Sequence, residues 1–496
     1  MFHELFKNCH QVQYREKFPK QMTMELEKTT LVFIPFPSTG HLLATLELGL
    51  QLLNLKSNID IHVLLATIPL FASNDSHIQS LTAAQPRLKI SKLPLTEQPP
   101  LDNFKKSPDK YLCDCADSYI NHVRESISEI VADSASHGFR VGGVVLDFFM
   151  VSMVDVINEF SLSPYVFSTS GAGAIRTLLF QAATADEGSI PYDFSNPDLN
   201  VLGFRNPVPV DVMPSSFLKK DGGYTSIMNI ARRIKEVKGI MVNTFEELEE
   251  YQLSSSGEGT NPTLCAVGPL INFKGFPTSN NNDLAGEGLM EWLDEQPEAS
   301  VVFICFGSGG GGGFISECQI KEIAKGLERS NKRFLWQVSS CLKNGKTAEE
   351  TLPEGFMERT KGRGMLCGWV KQIEVLGHKA IGGFVSHCGW NSLLESIWFG
   401  VPVATFPLAA EQQVNAFEMV KELGLSVNLK MDYRPGVRHV SAEEVELAVV
   451  EVMEAESEVR KKVKEMSTAA RKAVSESGSS SSSLMQFADR NFLGGE

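Results

Sequence analysis

The sequence predicts an α/β protein built as two successive open parallel sheets, each clothed by helices, with a crevice between them. Three observations carry this. The 496 residues are too many for one hydrophobic core. Short β-branched or aromatic runs alternate with turns and helical patterns, the order that builds parallel sheets. The texture breaks once, over 254–288, into Ser, Gly, Asn and Pro before the alternation restarts.

The first unit opens with a strand at 30–36, a turn at 37–40 and a helix at 42–55, on which Leu42, Leu46, Leu50 and Leu53 form one apolar stripe. Further strands are predicted at 60–66, 88–93, 142–147, 164–169 and 239–244. After the break come a strand at 301–306, a helix at 315–330 turning Ile320, Ile323 and Leu327 inward, and strands at 333–338, 383–386 and 401–406. A helix at 391–399 lies between the last two, and a capping box from Ser441 to Glu444 opens another at 442–453. The serine run 479–483 reads as a loop before a last short helix. The divisions are therefore a poorly ordered extension at 1–24 with Met22 or Met24 as an alternative start, a domain at 25–253, a linker at 254–288, a second domain at 289–478, and a terminal loop and helix at 479–496.

Lys and Arg number 46 against 60 Asp and Glu, a formal charge of −14, which argues against binding nucleic acid through the overall field. Hydrophobic residues at 43% and charged residues at 21% fit a globular interior. The nine cysteines are scattered and odd in number, without CxxC spacing, so neither a disulfide scaffold nor a zinc knuckle is expected. The most apolar stretch, 141–156, is interrupted by Asp147 and Asp155 and is too short to span a bilayer. With no apolar h-region in the first 21 residues, a cytoplasmic protein is expected.

Open sheets of this kind bind ligands at the carboxyl ends of their strands, and the polar residues there carry the chemistry. Gly307 through Gly313 follows a strand and precedes a helix, so it is either a phosphate loop or a flexible connector. The next strand ends Gln337-Val338-Ser339 without the acidic residue that a dinucleotide ribose requires, which disfavours NAD. The Walker-like Asn344-Gly345-Lys346-Thr347 has Ser340 where the first glycine belongs. His41 and Asp147 each follow or close a strand and can share the crevice, a base and the carboxylate that fixes its tautomer. The densest polar cluster runs from Trp369 to Gln412, and Gly389, Asn391 and Ser392 begin a helix whose N–H and hydroxyl donors suit an anion.

The stretch Trp369–Gln412 resembles the signature box of plant UDP-dependent glycosyltransferases acting on small secondary metabolites. Similarity extends to the runs 33–41, 144–149, 243–248 and 306–308. The resemblance implies a GT-B fold of two Rossmann-like domains facing a cleft, with the final helix crossing back to the first domain. It implies that Trp369 stacks on uracil, that the Val370 backbone bonds the base edge, and that Gln372 and Glu395 hold the ribose. Ser308, His387, Gly389, Asn391 and Ser392 would bind the diphosphate, and Trp390, Glu411, Gln412 and Thr169 the sugar. His41 would be the general base, Asp147 its partner, and Phe148 and Phe149 part of the acceptor wall. Gln412 points to UDP-glucose as the donor cosubstrate, with inversion to a β-O-glucoside, no metal and no other cofactor. A monomer acting on a flavonoid, other phenolic or terpenoid hydroxyl is expected. The alternative is a nucleotide-sugar-binding protein with weak or no transferase activity. Two departures stand out: Val370-Lys371 replaces the usual Ala-Pro, and glycines 309–313 replace bulkier side chains.

Overall fold

The computed structural model describes residues 28–71, 75–186, 198–218, 222–255, 262–273, 288–307, 315–338, 341, 347–432 and 439–494. The 1–24 extension, Ser308, glycines 309–313, residues 339–340 and 344–346, and most of the 254–288 segment lie outside them.

The strands are β1 (Thr29–Ile34), β2 (Ile59–Leu65), β3 (Leu88–Lys92), β4 (Arg140–Asp147), β5 (Pro164–Ser168), β6 (Asp198–Leu199), β7 (Val208–Pro209), β8 (Ile240–Val242), β9 (Leu264–Ala266), β10 (Val301–Cys305), β11 (Arg333–Gln337), β12 (Gly364–Cys367), β13 (Ile381–Ser386), β14 (Val403–Thr405) and β15 (Ser426–Val427). The first sheet runs β3-β2-β1-β4-β5-β8-β9 and the second β12-β11-β10-β13-β14-β15, while β6 and β7 form a small antiparallel ribbon. Every pairing within the two large sheets is parallel. The helices that build the cleft and the seam between the domains are α1 (Thr39–Leu55), α2 (Pro108–Asp117), α3 (Ala172–Asp186), α4 (Gly222–Arg233), α5 (Glu246–Ser254), α6 (Trp390–Phe399), α7 (Gln412–Phe417) and α8 (Ser479–Phe487). Among the described residues no helix is long and apolar enough to cross a membrane.

Central strands buried on both faces read as nearly continuous apolar runs, as β1 and β10 do. Their position fixes the site. Ile34 of β1 pairs with Leu146 of β4, so the turn leading into α1 and the residue closing β4 emerge side by side. In the second sheet Cys305 pairs with Ser386, which brings the loops after β10 and β13 together.

Three expectations need correction, and two strands were not expected. The 254–288 segment is not all linker: Leu264–Ala266 pairs with β8 and forms the edge of the first sheet. Three residues set between Pro262-Thr263 and Val267-Gly268-Pro269 carry too little period to reveal a strand whose partner lies elsewhere in the chain. The serine run 479–483 is helix, the first half of α8. There Ser480 is buried and donates to the Gly268 carbonyl, while Ser479 donates to Glu247, so small hydroxyl side chains serve close packing. Strands β12 and β15 were not anticipated at all. On α1 the buried set is Leu42, Leu46, Leu48, Leu52 and Leu53 rather than a stripe through Leu50. The helix is covered on a second side, because Leu484, Phe487 and Phe492 join its apolar cluster. The last residues are tied to the first sheet by Tyr165 donating to the Asn491 carbonyl at 2.9 Å and by Arg140 donating to the Phe492 carbonyl.

Candidate active site

Asp147 closes β4 and caps the short helical turn that follows, its Oδ1 accepting the Phe149 N–H at 3.0 Å. That bond aims Oδ2 at His41, in the first turn of α1, whose Nδ1 lies 2.8 Å away. An ionised carboxylate only accepts, so Nδ1 carries the proton and Nε2 is left as the basic nitrogen. Thr169 Oγ1 stands 3.3 Å from the same Nδ1. The Asp147 side chain has no exposure and the His41 ring is 26% exposed, wedged by Phe36 and Phe149 with centroids 5.9 and 5.8 Å away. Burial by itself lowers the imidazole pKa. The charge and hydrogen bond of Asp147, with a contribution from Glu411, more than reverse this and hold His41 above its ordinary value.

His41 lines two cavities. One, of about 100 Å³, is walled by Phe148, Phe149, Ile175, Leu178, Phe217 and Ile227 of the first domain, with Asp109, Ser168 and Thr169 among its polar groups, and is closed by Ala410 and Glu411 of the second. The other, of about 330 Å³, crosses to the second domain and is lined by Trp369, Val370, Gln372, His387, Gly389, Trp390, Asn391, Ser392, Glu395 and Glu411.

In the larger cavity Gln372 Nε2 donates to Ser392 Oγ at 2.9 Å and to Glu395 Oε2 at 2.7 Å, a preformed polar floor. Burial pushes the Glu395 carboxyl up to about 7, against the hydrogen bond from Gln372. His387 is crowded against Gly307 and Gly389, where a side-chain carbon would fall 2.9 and 2.5 Å from its Nε2. Burial lowers its pKa to about 4, so the ring is neutral. The N-terminal turn of α6 contributes N–H groups without intrahelical partners, the local dipole end that favours an anion.

Several residues sit otherwise than a ligand-facing role alone would require. The Trp390 indole is buried and donates Nε1–H to the Asn243 carbonyl at 2.7 Å, across the domain seam, so its backbone N–H is what remains for a ligand. Asn391 likewise bridges the domains, Nδ2 to the Gly40 carbonyl and Oδ1 from Asn243, both at 3.2 Å. Gln412 does not line either cavity: its Oε1 caps its own loop, accepting from Leu408 N and Ala409 N at 2.8 and 3.0 Å. Glu411 does line both cavities, and accepts from Ser170 Oγ at 3.1 Å.

Sequence reasoning missed Asn243 as a hub. Fully buried, it also accepts the Leu270 N–H on Oδ1 at 2.8 Å. Its signal was a polar residue immediately after the buried strand β8, a position where an unpaired amide would be costly. Cys305 and Gln337, bonded to each other at 2.7 Å in the cavity floor, were also missed.

Two parallel-sheet domains of this order, opening their strand ends onto one cleft, constitute a GT-B fold. The family profile described as UDP-glucoronosyl and UDP-glucosyl transferase matches residues 268–471. UDP-glycosyltransferase 71K1 of Malus domestica is 41% identical over 474 residues, covering 93% of this chain and 98% of the relative. Flavonoid 3-O-glucosyltransferase 6 of Fragaria ananassa, named for UDP-glucose, is 43% identical over 477 residues, with 93% and 98% covered. The crystal structure of Medicago truncatula UGT71G1 complexed with UDP-glucose matches with TM-score 0.85 and 42% identity, over 94% of this chain and 99% of that one. The chain belongs to the family of plant UDP-glycosyltransferases.

Proposed function

We propose that the protein transfers glucose from UDP-glucose to a hydroxyl of a small phenolic acceptor, with inversion. The observation that carries this is the His41–Asp147 pair at the junction of an apolar cavity and a larger polar one. The acceptor hydroxyl gives its proton to His41 Nε2 as its oxygen bonds to the anomeric carbon. The bond from that carbon to the β-phosphate oxygen breaks on the opposite face, and UDP leaves. Asp147 stabilises the imidazolium that forms. Charge on the departing diphosphate meets the α6 N-terminus and the Ser392 hydroxyl, which supply the stabilisation without a metal. Trp369 is the stacking surface for uracil, Gln372 and Glu395 the ribose ligands, and Glu411, which lines both cavities with His41, a sugar contact.

The test is UDP release and product mass with a panel of flavonols, simple phenols and terpenoid alcohols. Acceptor-dependent UDP release that EDTA leaves unchanged is expected. UDP binding without acceptor-dependent release would refute the transferase reading.

Glu395 adds a pH prediction. Ribose hydroxyls donate to its ionised form, so UDP binding pulls its pKa down from about 7 and releases a proton near neutrality. UDP affinity therefore falls as pH drops below that value, and Glu395→Gln removes the dependence. Calorimetry in two buffers of different ionisation enthalpy counts the proton.

A further inference from the structure

Glu249 on α5 and Glu418, immediately after α7, are both 0% exposed, and they meet where the two domains touch. Glu249 accepts the N–H groups of Ala172 and Gly173 at 2.9 and 2.7 Å, the unpaired donors that begin α3. This is the environment of a carboxylate. Glu418 has the opposite surroundings. Its Oε1 accepts from Gln252 Nε2 at 2.7 Å, and its Oε2 is buried with no acceptor-satisfying donor among the described residues. A side-chain carbon on Gly173 would lie 2.4 Å from that oxygen, so glycine there lets the carboxyl approach the α3 terminus. The two carboxyls thus converge on Gly173, one bonded to its N–H and the other pressed against its Cα. Two buried carboxyls this close disfavour two charges, and the surroundings assign the one proton to Glu418 Oε2, which has no donor, while Glu249 has two.

We infer that Glu249 and Glu418 share one proton across the domain seam and act as a positioning pair, holding the loop that carries Thr169 and Ser170 against the turn that carries Glu411. The connections are short. Thr169 and Ser170 are separated from α3 only by Gly171, and Glu411 is the residue before α7, whose far end runs into Glu418. A bond from Ser170 to Glu411 runs alongside. A side-chain carbon on Gly171 would meet the Trp390 ring at 2.7 Å and Glu249 Oε1 at 2.9 Å, so the pair also abuts the start of α6. This role presupposes the glucose-transfer reading only in its catalytic consequence.

The charged groups around the pair do not neutralise it. From α3, buried Arg176 donates to the Gln252 and Leu253 carbonyls. From the turn of Glu418, Glu422 adds negative charge and accepts the Arg205 and Asn206 N–H groups. Burial, then the neighbouring Glu249, raises Glu418 well above the ordinary carboxyl range, and burial raises Glu249. An acid whose folded pKa is raised contributes stability that is complete below its unfolded value and lost as pH rises towards the folded one.

The test separates the two carboxyls. Glu418→Gln reproduces the protonated state, its Oε1 accepting from Gln252 and its Nε2 donating to Glu249. Glu249→Gln leaves one amide oxygen for two backbone donors. Melting of the free protein from about pH 5 to about pH 9 should show E418Q gaining on the wild type as pH rises, and E249Q below both throughout. A margin independent of pH, or equal behaviour of the two variants, would overturn the shared proton. In transfer assays the Glu395 dependence is common to both proteins, so the ratio of the wild-type KM for UDP-glucose to that of E418Q should climb with pH by on the order of tenfold. A melting difference without that KM difference would overturn the positioning role. Melting reads the pair even in a protein that transfers nothing, so the two failures are distinguishable.

Discussion

Replacing His41 with alanine should lower kcat for glucose transfer by about 10²–10⁴-fold, the range a positioned general base supplies, while leaving UDP affinity unchanged. The proposed uracil, ribose and diphosphate contacts lie on the second domain, so removing the ring takes away the proton acceptor without touching them. Asp147→Asn is the more informative partner. Asparagine keeps an oxygen to accept the Phe149 N–H that the following turn requires, so the fold persists. What it removes is the charge facing His41 Nδ1. Catalysis needs neutral imidazole, so in the wild type the rate falls as pH drops through a His41 pKa held above its ordinary 6.5. With the carboxylate charge gone, burial dominates and lowers the pKa. The acidic limb of the profile should therefore move to lower pH even as the plateau rate falls by on the order of 10²-fold or more. An unmoved acidic limb in D147N would mean that another group sets it.

That pair was legible from the sequence because the topology is. In a parallel sheet the residues that follow β1 and close β4 share an edge whenever those strands are neighbours, and they are neighbours here because the sheet winds outward in both directions from β1, in the order β3-β2-β1-β4. The polar run after β12 was legible for a related reason: Trp, His, Asn, Ser and Glu make a poor core, so their concentration at one strand-to-helix turn marks a surface with a task. Hidden features depend on partners distant in the chain. β9 is defined by pairing with β8, α8 by packing its serines beneath Gly268 and Glu247, and Asn243 by reaching both Trp390 and Leu270. None of these has a local period. The sequence also gives no sign that Gln412 folds back on its own loop, because a glutamine one residue from Glu411 looks equally able to face a ligand.

Trp390 is where the seam and the donor pocket compete for one side chain, and substitution separates them. Trp390→Ala empties a buried site and orphans the Asn243 carbonyl, which should destabilise the protein by about 3–5 kcal/mol for the lost side chain. Against a total stability of roughly 5–15 kcal/mol for a domain, that is enough to populate open forms. Trp390→Phe keeps most of the volume and the backbone N–H at the start of α6, and loses only the indole donor, a cost of about 1–3 kcal/mol. If the backbone alone faces the hexose, W390F should unfold at lower urea than the wild type yet keep its preference for UDP-glucose over UDP-galactose. Chemical denaturation and the ratio of kcat/KM for the two donors measure these separately. A changed donor ratio with unchanged unfolding would assign the indole to the sugar and leave the seam to Asn391, Ser170 and the buried carboxyl pair.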